Sequence, residues 1–287
     1  MMVNAHRLDQ ITFVAFDTET TGISALSCKI VEIAAVKFGS DGKVVGTFEQ
    51  LVNPECLIPA NVIRIHGITN EMVREQPAMN EVIPRFLAFL GASNTILLAH
   101  NARFDIAFLG NALAQHGYSP PEHLVLDTVP LARACWPGLS SYNLETIGRS
   151  LKLIEATEHR ALADAWLLKE VFLRFLDSSQ LKTWTDLAAL ATLYTFTAGR
   201  MISLPVPPSG FEELQTAIAE GRAITMIYSN SQGIKGRRIV TPLALLRSRG
   251  MVYLSAFCHR DQLQKLYRLD RISHIARLSD SAPLLVQ

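Results

Sequence analysis

The chain has 287 residues, of which 49% are hydrophobic, and its formal net charge is +1. This length and composition are typical of a globular chain with one large or two modest domains. No stretch approaches the ~18 consecutive apolar residues of a membrane span, and the first ten residues contain no apolar run of the kind that secretory signals carry. We therefore expect a cytoplasmic protein with no membrane partner.

The near-neutral total conceals a charge asymmetry along the chain. Residues 1–178 hold 14 Lys or Arg against 19 Asp or Glu, whereas residues 179–287 hold 13 against 7. An acidic half can host cations, and a basic half can hold an anionic polymer or ligand, although solvated surfaces also drift in charge. The two halves are predicted to have different electrostatic tasks.

The first predicted element is a short strand over residues 13–16, which Asp17 and Glu19 follow directly. Four consecutive apolar residues are typical of a strand that is covered on both faces. Residues two apart in a strand point to the same side, so both carboxylates face one point before the turn at residues 20–22. Like charges this close are costly unless a cation lies between them, and Mg²⁺ and Mn²⁺ prefer oxygen ligands. An Asp-x-Glu triplet also arises by chance about once in a chain of this length, so the pair alone does not establish a metal site.

The next elements predict an α/β domain. Strand patterns at residues 29–38 and 43–52 follow the opening strand as hairpins, and a short helical segment begins at Pro59. Beyond it, helices alternate with short strands: helices are predicted at residues 80–90, 103–116, 143–151 and about 160–176, and strands at residues 95–99 and from 125. This alternation argues for a partly parallel sheet with helices packed on its faces.

Two further acids stand beside these elements. Asp105 closes the segment His-Asn-Ala-Arg-Phe-Asp at residues 100–105, where a strand hands over to a helix and open α/β sheets gather ligands. Asp164 follows His159 by five residues, an offset of roughly 140° on a helix, so the two side chains cannot share one helical face. We predict that Asp164 lies in the first turn of a long helix, aimed inward, and that His159 lies on the loop before it. A lone histidine in such a place is more often structural.

Together these motifs resemble the three motifs of the DEDDh branch of proofreading-type 3′-5′ exonucleases, a group that includes the replicase epsilon subunit and exonuclease X. The motifs are Asp17-x-Glu19, residues 100–105 and His159-x-x-x-x-Asp164. The similarity covers about residues 10–178, and the sequence His-Gly-Ile-Thr at residues 66–69 matches a further segment of that family. The resemblance implies a ribonuclease H-like α/β exonuclease domain over residues 1–178 that uses two divalent ions, Mg²⁺ or Mn²⁺, and releases nucleoside 5′-monophosphates from a 3′ end.

The same resemblance implies a role for each motif residue. It assigns the two metal ions to Asp17, Glu19, Asp105 and Asp164, and the general base to His159, whose neutral imidazole suits that task near pH 7. It also implies that the 3′-terminal nucleotide is held by Thr20, Thr21, Gly22, His66 and Asn101. The sequence at residues 17–22 is closer to the DNA-type members than to oligoribonucleases, so single-stranded DNA is favoured and RNA stays open.

Beyond residue 178 the pattern changes. Apolar residues around Trp184 recur at helical spacing and predict an amphipathic helix over residues 180–198, which packs on its own core or binds a partner. Residues 203–210, rich in proline, complete a predicted connector over residues 179–210. A short helix and strands at residues 223–228, 238–247, 251–258 and 265–269 then predict a small, mostly antiparallel β module.

This module resembles the WYL domain, a small SH3-like β fold found in bacterial regulators and fused to nucleic-acid enzymes. The matching positions are Ile227-Tyr228, Arg237-Arg238, Pro242, Tyr253-Leu254 and the sequence Tyr-Arg-Leu-Asp-Arg-Ile at residues 267–272. Val252 stands where that family has its namesake tryptophan. The resemblance implies an SH3-like β-barrel over residues 211–287 that binds nucleic acid or a nucleotide-like ligand. The candidate contacts are Tyr228, Arg237, Arg238, Tyr253, His259, Arg268 and Arg271, and the alternative is that some of these arginines pair with Asp261 and Asp270.

These features predict a two-domain, metal-dependent 3′-5′ exonuclease whose basic module holds the substrate strand through guanidinium–phosphate contacts and base stacking. Two alternatives stay open. In one, the module senses a nucleotide ligand that switches the nuclease. In the other, the protein is an accessory subunit that docks on a polymerase or repair complex through the helix around Trp184.

Overall fold

A computed structural model describes residues 7–91, 95–155, 159–196, 202–203, 207–230, 233–248, 251–261 and 263–277. The chain divides into two compact units. The larger unit comprises the residues up to Thr21 together with Lys29–Gly199, and the smaller unit comprises Gly22–Cys28 and the residues from Arg200 onward.

The larger unit alternates strands and helices after an opening set of antiparallel strands. Its strands are β1 (Thr12–Thr20), β2 (Ile30–Gly39), β3 (Val44–Leu51), β4 (Ile96–Ala99), β5 (Val125–Asp127) and β6 (Thr192–Tyr194). Its helices are α1 (Ala60–His66), α2 (Asn70–Val73), α3 (Met79–Leu90), α4 (Arg103–Gln115), α5 (Thr128–Cys135), α6 (Leu144–Ser150), α7 (Ala161–Ser179) and α8 (Trp184–Leu190). Among the described residues, no helix has the length and apolar character that crossing a membrane requires.

These strands form one mixed sheet in the order β3-β2-β1-β4-β5-β6. β1 pairs antiparallel with β2 and parallel with β4, and β4 pairs parallel with β5. The carboxyl ends of the three parallel strands therefore lie at one edge of the sheet, where such sheets bind ligands. Because β1 is central, Phe13, Val14, Ala15 and Phe16 have no exposed surface. This burial explains the apolar run that precedes Asp17.

Helix α7 covers one face of the sheet. Its buried residues include Ala161, Ala165, Leu168 and Phe172, which recur every three or four residues and form one apolar stripe. The Phe172 ring lies 4.9 Å from the Phe13 ring, between centroids. The core therefore holds the first turn of α7 against the end of β1.

The residues after 178 continue the larger unit. Trp184 and Leu187 of α8 are buried in the same core cluster as Phe13 and Phe172. The helix ends at Leu190, short of the predicted residue 198, because the next residues form the edge strand β6, which pairs with β5. The side chain of Trp184 is thus used inside this unit, as the first of the two alternatives for this helix anticipated.

The smaller unit is built on a meandering antiparallel sheet. Its elements are β7 (Ile202–Ser203), α9 (Glu212–Ala219), β8 (Ile224–Ser229), β9 (Lys235–Ser248), β10 (Met251–Cys258), β11 (Leu263–Arg268), a 3-10 turn (Leu269–Arg271) and β12 (Ile272–Arg277). The strand order is β11-β10-β9-β8-β12, with β7 added beside β9. Among the described residues no pairing joins β11 to β12, so the sheet is open and the predicted closed SH3-like barrel is not confirmed. Between β7 and α9, residues 204–206 of the predicted linker lie outside the described residues, and residues 207–210 belong to no helix or strand.

Candidate active site

Three carboxylates converge at the edge of the sheet where β1 ends. Asp17 and Glu19 lie on β1, and Asp164 lies in the first turn of α7. One oxygen from each side chain lies within 4.8 Å of the other two. The two β1 residues share a side of the strand because they are two apart, and the packed core fixes α7 beside them. All three side chains are half-buried.

Asp105 stands behind this cluster in the first turn of α4. It is 2% exposed, and its Oδ1 accepts a hydrogen bond from the Thr18 hydroxyl at 2.8 Å. Thr18 lies between Asp17 and Glu19 in β1, so its side chain points to the opposite side of the strand from theirs. Asp105 is not part of the three-oxygen group, but its negative charge adds to burial in raising the pKa of Asp17. The fourth predicted carboxylate is therefore adjacent to the cluster rather than within it.

His159 precedes α7, as the helical geometry required. It is exposed, and its φ of 44° is in the left-handed region, which is costly for a residue with a Cβ. Burial raises the pKa of Asp164, and the nearby His159 opposes that rise. The histidine therefore lies just outside α7 and the acid lies within its first turn, as the five-residue spacing predicted.

Burial and mutual repulsion raise the pKa values of the acids at this edge. Burial, followed by the charges of Asp105 and Glu19, raises the pKa of Asp17 well above its ordinary value. Burial and the charge of Asp164 raise the pKa of Glu19 to about 8. Burial also raises the pKa of Asp105 to about 7, although the Thr18 hydrogen bond opposes this, and it raises that of Asp164. Such a cluster attracts a cation, because a bound cation relieves the repulsion.

The turn between β4 and α4 is fixed by a hydrogen bond to Asp127, the last residue of β5. Asn101 has φ 66°, and its backbone N–H donates to Oδ1 of Asp127 at 3.1 Å. The same oxygen accepts the N–H of Val129 at 3.0 Å, which caps α5. The His100 ring lies between the Thr128 hydroxyl at 2.9 Å and the Tyr142 carbonyl at 2.7 Å. This network exposes the Asn101 side chain at the same sheet edge as the carboxylates.

The remaining predicted nucleotide contacts lie at the end of β1, in the bend after it, or at the end of α1. Thr20 and Thr21 are buried, and the Thr21 hydroxyl accepts the N–H of Lys29 at 2.9 Å. Gly22 continues the bend after Thr21. His66 is 2% exposed, and its Nδ1 accepts the N–H of Ile68 at 3.0 Å. Burial lowers the pKa of His66, so the ring is neutral near pH 7, with its proton on Nε2.

The structure adds residues that the sequence motifs did not identify. Glu32 of β2 lies opposite Glu19 of β1 and has no exposed surface. It is bonded to Arg160 and to the N–H of Ala161 at the start of α7. A signal for Glu32 existed, since it is the only charged residue in the apolar run at residues 30–36 and a buried charge needs a partner. Thr18 gave no such signal, because its partner Asp105 is 87 positions away.

The candidate residues of the smaller unit are partly exposed and lie on adjacent strands. Tyr253 of β10 is opposite Arg268 of β11, and the Tyr228 ring lies 4.9 Å from that of Tyr267. Arg268 forms an ion pair with Asp270 at 2.6 Å, which is the alternative that the sequence left open. Asp261 is instead bonded to Lys265 and Cys258. The other candidates lie on β9, after β10 and in the 3-10 turn: they are Arg237, Arg238, His259 and Arg271.

Comparisons with known proteins match this division into two units. The Exonuclease family profile, RNase_T, matches residues 14–172, and the WYL domain profile matches residues 210–277. The order of elements and the family match define the larger unit as an exonuclease domain with a ribonuclease H-like α/β fold. The chain belongs to the exonuclease family and carries a WYL domain after its exonuclease domain.

Individual relatives match different shares of the chain. DNA polymerase III PolC-type of Caldanaerobacter subterraneus subsp. tengcongensis is 39% identical over 168 residues, which are 58% of this chain but 12% of that protein. DNA polymerase III subunit epsilon of Treponema pallidum is 37% identical over 166 residues, which are 57% of this chain and 76% of that one. The solved structure of E. coli exonuclease I in complex with a dA16 oligonucleotide aligns with a TM-score of 0.56 and 18% identity, over 86% of this chain and 55% of that chain. This last likeness concerns the fold.

Proposed function

We propose that the chain is a metal-dependent 3′-5′ exonuclease that hydrolyses phosphodiester bonds from the 3′ end of single-stranded DNA. The observation that carries the proposal is the convergence of Asp17, Glu19 and Asp164 within 4.8 Å in a domain of the exonuclease family. Three carboxylates are costly to hold together without a cation. Their convergence is therefore consistent with a metal site.

The residues at this edge fit divalent ions of the Mg²⁺ or Mn²⁺ class. The donors are hard carboxylate oxygens, and the raised pKa values of Asp17 and Glu19 support the proposal that a cation is electrostatically favoured there. In this proposal Asp17, Glu19 and Asp164 hold the ions, and Asp105, which keeps Oδ2 outside its bond to Thr18, is the fourth ligand. When bound, two such ions neutralise charge on the attacking and leaving oxygens of the phosphodiester.

His159 is proposed as the general base that takes a proton from the attacking water. It precedes α7, is exposed, and lies close enough to Asp164 to influence its pKa, so a water molecule can reach it near the carboxylates. Thr20, Thr21, Gly22, His66 and Asn101 are proposed to hold the terminal nucleotide. The neutral His66 ring, with its proton on Nε2, can donate a hydrogen bond without adding charge to the site.

The preference for DNA rests on the names of the relatives. Both curated relatives described above are components of DNA polymerase III. We therefore propose DNA as the substrate and a replicative or repair polymerase as a candidate partner. The Trp184 side chain is not available for this docking because it is buried in the core of the larger unit.

The smaller unit is proposed to hold the substrate strand. Tyr253 and Arg268 are neighbours across two strands, which places an aromatic ring beside a guanidinium group. Aromatic rings stack on bases and guanidinium groups bind phosphate, so this pairing suits a single strand. Arg237 adds an exposed cation on β9.

The test is a time course on 5′-labelled single-stranded DNA and on RNA of the same sequence, with Mg²⁺ or Mn²⁺. A descending ladder from the 3′ end and mononucleotide products are expected, with faster loss of DNA. Asp17→Ala should abolish the ladder, since it removes a central carboxylate of the cluster. Addition of EDTA should stop the wild-type reaction.

A control variant separates loss of the site from loss of charge. Asp41→Ala removes an exposed carboxylate beyond β2 and should degrade DNA at the wild-type rate. An Asp17→Ala protein as active as the wild type would overturn the assignment of the site. Shortening from the 5′ end would overturn the polarity.

A further inference from the structure

A fifth carboxylate lies at the same sheet edge but is held away from any ligand role. Glu32 is opposite Glu19 in the β1–β2 pairing, so both side chains project from the same face of the sheet. Its side chain has no exposed surface. A buried carboxylate is tolerated only when its charge is paired and its oxygens are hydrogen-bonded.

Both oxygens of Glu32 are engaged at the start of α7. Arg160 donates from Nε at 3.1 Å and from a terminal nitrogen at 2.5 Å, and the N–H of Ala161 donates to Oε2 at 2.9 Å. Glu49 lies 3.8 Å from the same guanidinium group. Arg160 and Glu32 thus form a bidentate ion pair, which fixes the orientation of the guanidinium group as well as its distance from the carboxylate.

This pair replaces a local helix cap. The residue preceding α7 is Arg160, whose side chain does not cap the helix, and the first free N–H of the helix is instead bonded by Glu32 from β2. The carbonyl of Arg160 accepts the N–H of Asp164 at 2.9 Å. The position of Arg160 therefore sets the position of Asp164 through the first hydrogen bond of the helix.

The Glu32–Arg160 ion pair also lies next to His159, because His159 directly precedes Arg160 in the chain. His159 holds φ 44°, a conformation that persists only where neighbouring contacts fix the backbone. Arg160 is the next residue, and its guanidinium group is fastened to the buried Glu32. One tertiary ion pair is thus connected to both the carboxylate and the histidine of the last motif.

We propose that Glu32 and Arg160 act together as positioning residues. Their ion pair holds His159 and Asp164 in a fixed position relative to the two carboxylates of β1. The proposal rests on the proposed nuclease function for its kinetic consequences, but its effect on the first turn of α7 and on metal affinity does not depend on activity. Outer partners that orient metal ligands typically change metal affinity or activity by about 10–100-fold when removed.

The first test uses Arg160→Gln and Glu32→Gln in the full chain. Amide hydrogen exchange of residues 159–164 should accelerate in both variants, while exchange in β1 and β4 stays unchanged, because only the anchor of α7 is lost. Titration with Mn²⁺ should show an affinity about 10-fold weaker. The matched control is Arg7→Gln, which removes an exposed arginine from its pair with Asp9 in the same unit and should leave both readouts unchanged.

The second test is kinetic. Both single variants should lower kcat by about 10–100-fold with KM for a single-stranded oligonucleotide within about 3-fold. Arg160→Lys keeps the positive charge but cannot form the bidentate pair, so its kcat should lie between those of Arg160→Gln and the wild type. The double variant Glu32→Gln/Arg160→Gln should lose no more than either single variant, because the two residues act as one unit.

The outcomes distinguish this proposal from its alternatives. A raised KM with unchanged kcat and unchanged exchange would mean that Arg160 contacts the substrate instead, and additive losses in the double variant would mean that the two residues act separately. Arg160→Gln leaves the buried Glu32 charge without its partner and can fail to fold, whereas the double variant leaves no buried charge there. A folded double variant with wild-type exchange, Mn²⁺ affinity and kcat would overturn the proposal. If the wild type is inactive on every strand, the function fails, while the exchange and Mn²⁺ results still decide the positioning role.

Discussion

Two regions of the molecule are organised in opposite ways. One is the carboxylate edge of the larger unit, formed by Asp17, Glu19 and Asp164, and the other is the aromatic–basic face of the smaller unit, which includes Tyr253 and Arg268. At the carboxylate edge, like charges are held together by buried strands, and residues such as Thr18 and Glu32 fix what surrounds them. On the smaller unit, Tyr253 and Arg268 are partly exposed, and Arg268 is already paired with Asp270. Like charges therefore remain close together at the carboxylate edge, whereas on the smaller unit the charge of Arg268 is balanced by its neighbour Asp270.

The difference agrees with the proposed division of tasks, in which the larger unit carries out the reaction and the smaller unit binds the strand. A reacting group must be held in place by packing and by hydrogen bonds from other elements. A surface that binds a nucleic-acid strand needs only exposed positive charges and aromatic rings that the strand can contact. Substitutions at the carboxylate edge should therefore have large effects, and substitutions on the smaller unit should be graded and salt-dependent.

After the loss of activity expected for Asp17→Ala, the largest effect is expected at His159. His159→Gln should lower kcat by about 10²–10⁴-fold, the range for loss of a general base, while Mn²⁺ affinity changes little because a histidine of this role is not a metal ligand. Single-turnover kinetics and a Mn²⁺ titration measure the two quantities. His116→Gln, at an exposed position after α4, serves as the control. Equal loss of kcat and of Mn²⁺ affinity would make His159 a ligand.

A smaller effect is expected at Thr18. Thr18→Val removes the hydrogen bond that lowers the pKa of Asp105, so that this pKa rises further and metal binding competes with a more tightly held proton. Metal affinity should fall by about 10-fold, and the rise of activity with pH should shift upward. The control is Thr47→Val, an exposed position on β3. An unshifted pH profile would contradict the proposed role of Asp105.

The repulsion at the carboxylate edge also predicts how stability depends on pH. A carboxyl group whose pKa is raised by folding favours the native state fully below its ordinary value, and that contribution is lost as pH rises through the raised value. For Glu19 the loss extends from about 4.5 to about 8, and for Asp105 from about 3.8 to about 7. The metal-free protein should therefore melt at progressively lower temperature between about pH 5 and pH 8, and Mg²⁺ or Mn²⁺ should reverse the trend.

The variant Glu19→Gln sharpens that test. Without metal at about pH 8 it should melt roughly 2–4 °C higher than the wild type, which corresponds to about 1 kcal/mol in a domain of this size. With saturating Mn²⁺ the order should invert, because only the wild type gains the full binding energy. Glu122→Gln, at an exposed carboxyl group, is the control. Equal melting temperatures without metal would mean that Glu19 is not under electrostatic strain.

The smallest effects are expected on the smaller unit. In an Asp17→Ala background, Arg237→Gln should reduce the slope of log affinity for single-stranded DNA against log salt by about 1, because one phosphate contact is lost. Arg268→Gln should reduce it less, since this guanidinium group is already paired with Asp270. Binding titrations at several KCl concentrations measure both slopes. An unchanged slope in both variants would remove the smaller unit from the strand-binding role.

Most of the larger unit could be predicted from the sequence because its signals are local. The apolar run before Asp17, the two-residue spacing to Glu19, and the five-residue spacing of His159 and Asp164 each constrain geometry within one element. The barrel predicted for the smaller unit needed a pairing between its terminal strands, which no local pattern encodes. Likewise, the helix around Trp184 ends early because β5 offers an edge to β6, and helical spacing alone does not reveal that competition.

The sequence by itself therefore determined the order of the motifs, the family and the acids that gather at one edge. Only the tertiary structure decided how those acids are held. The bonds between Thr18 and Asp105 and between Glu32 and Arg160 join residues 87 and 128 positions apart, and the bond from Asn101 to Asp127 connects the turn after β4 to the end of β5. Partners this distant are set by strand order and register, which arise from packing of the whole core rather than from any short segment.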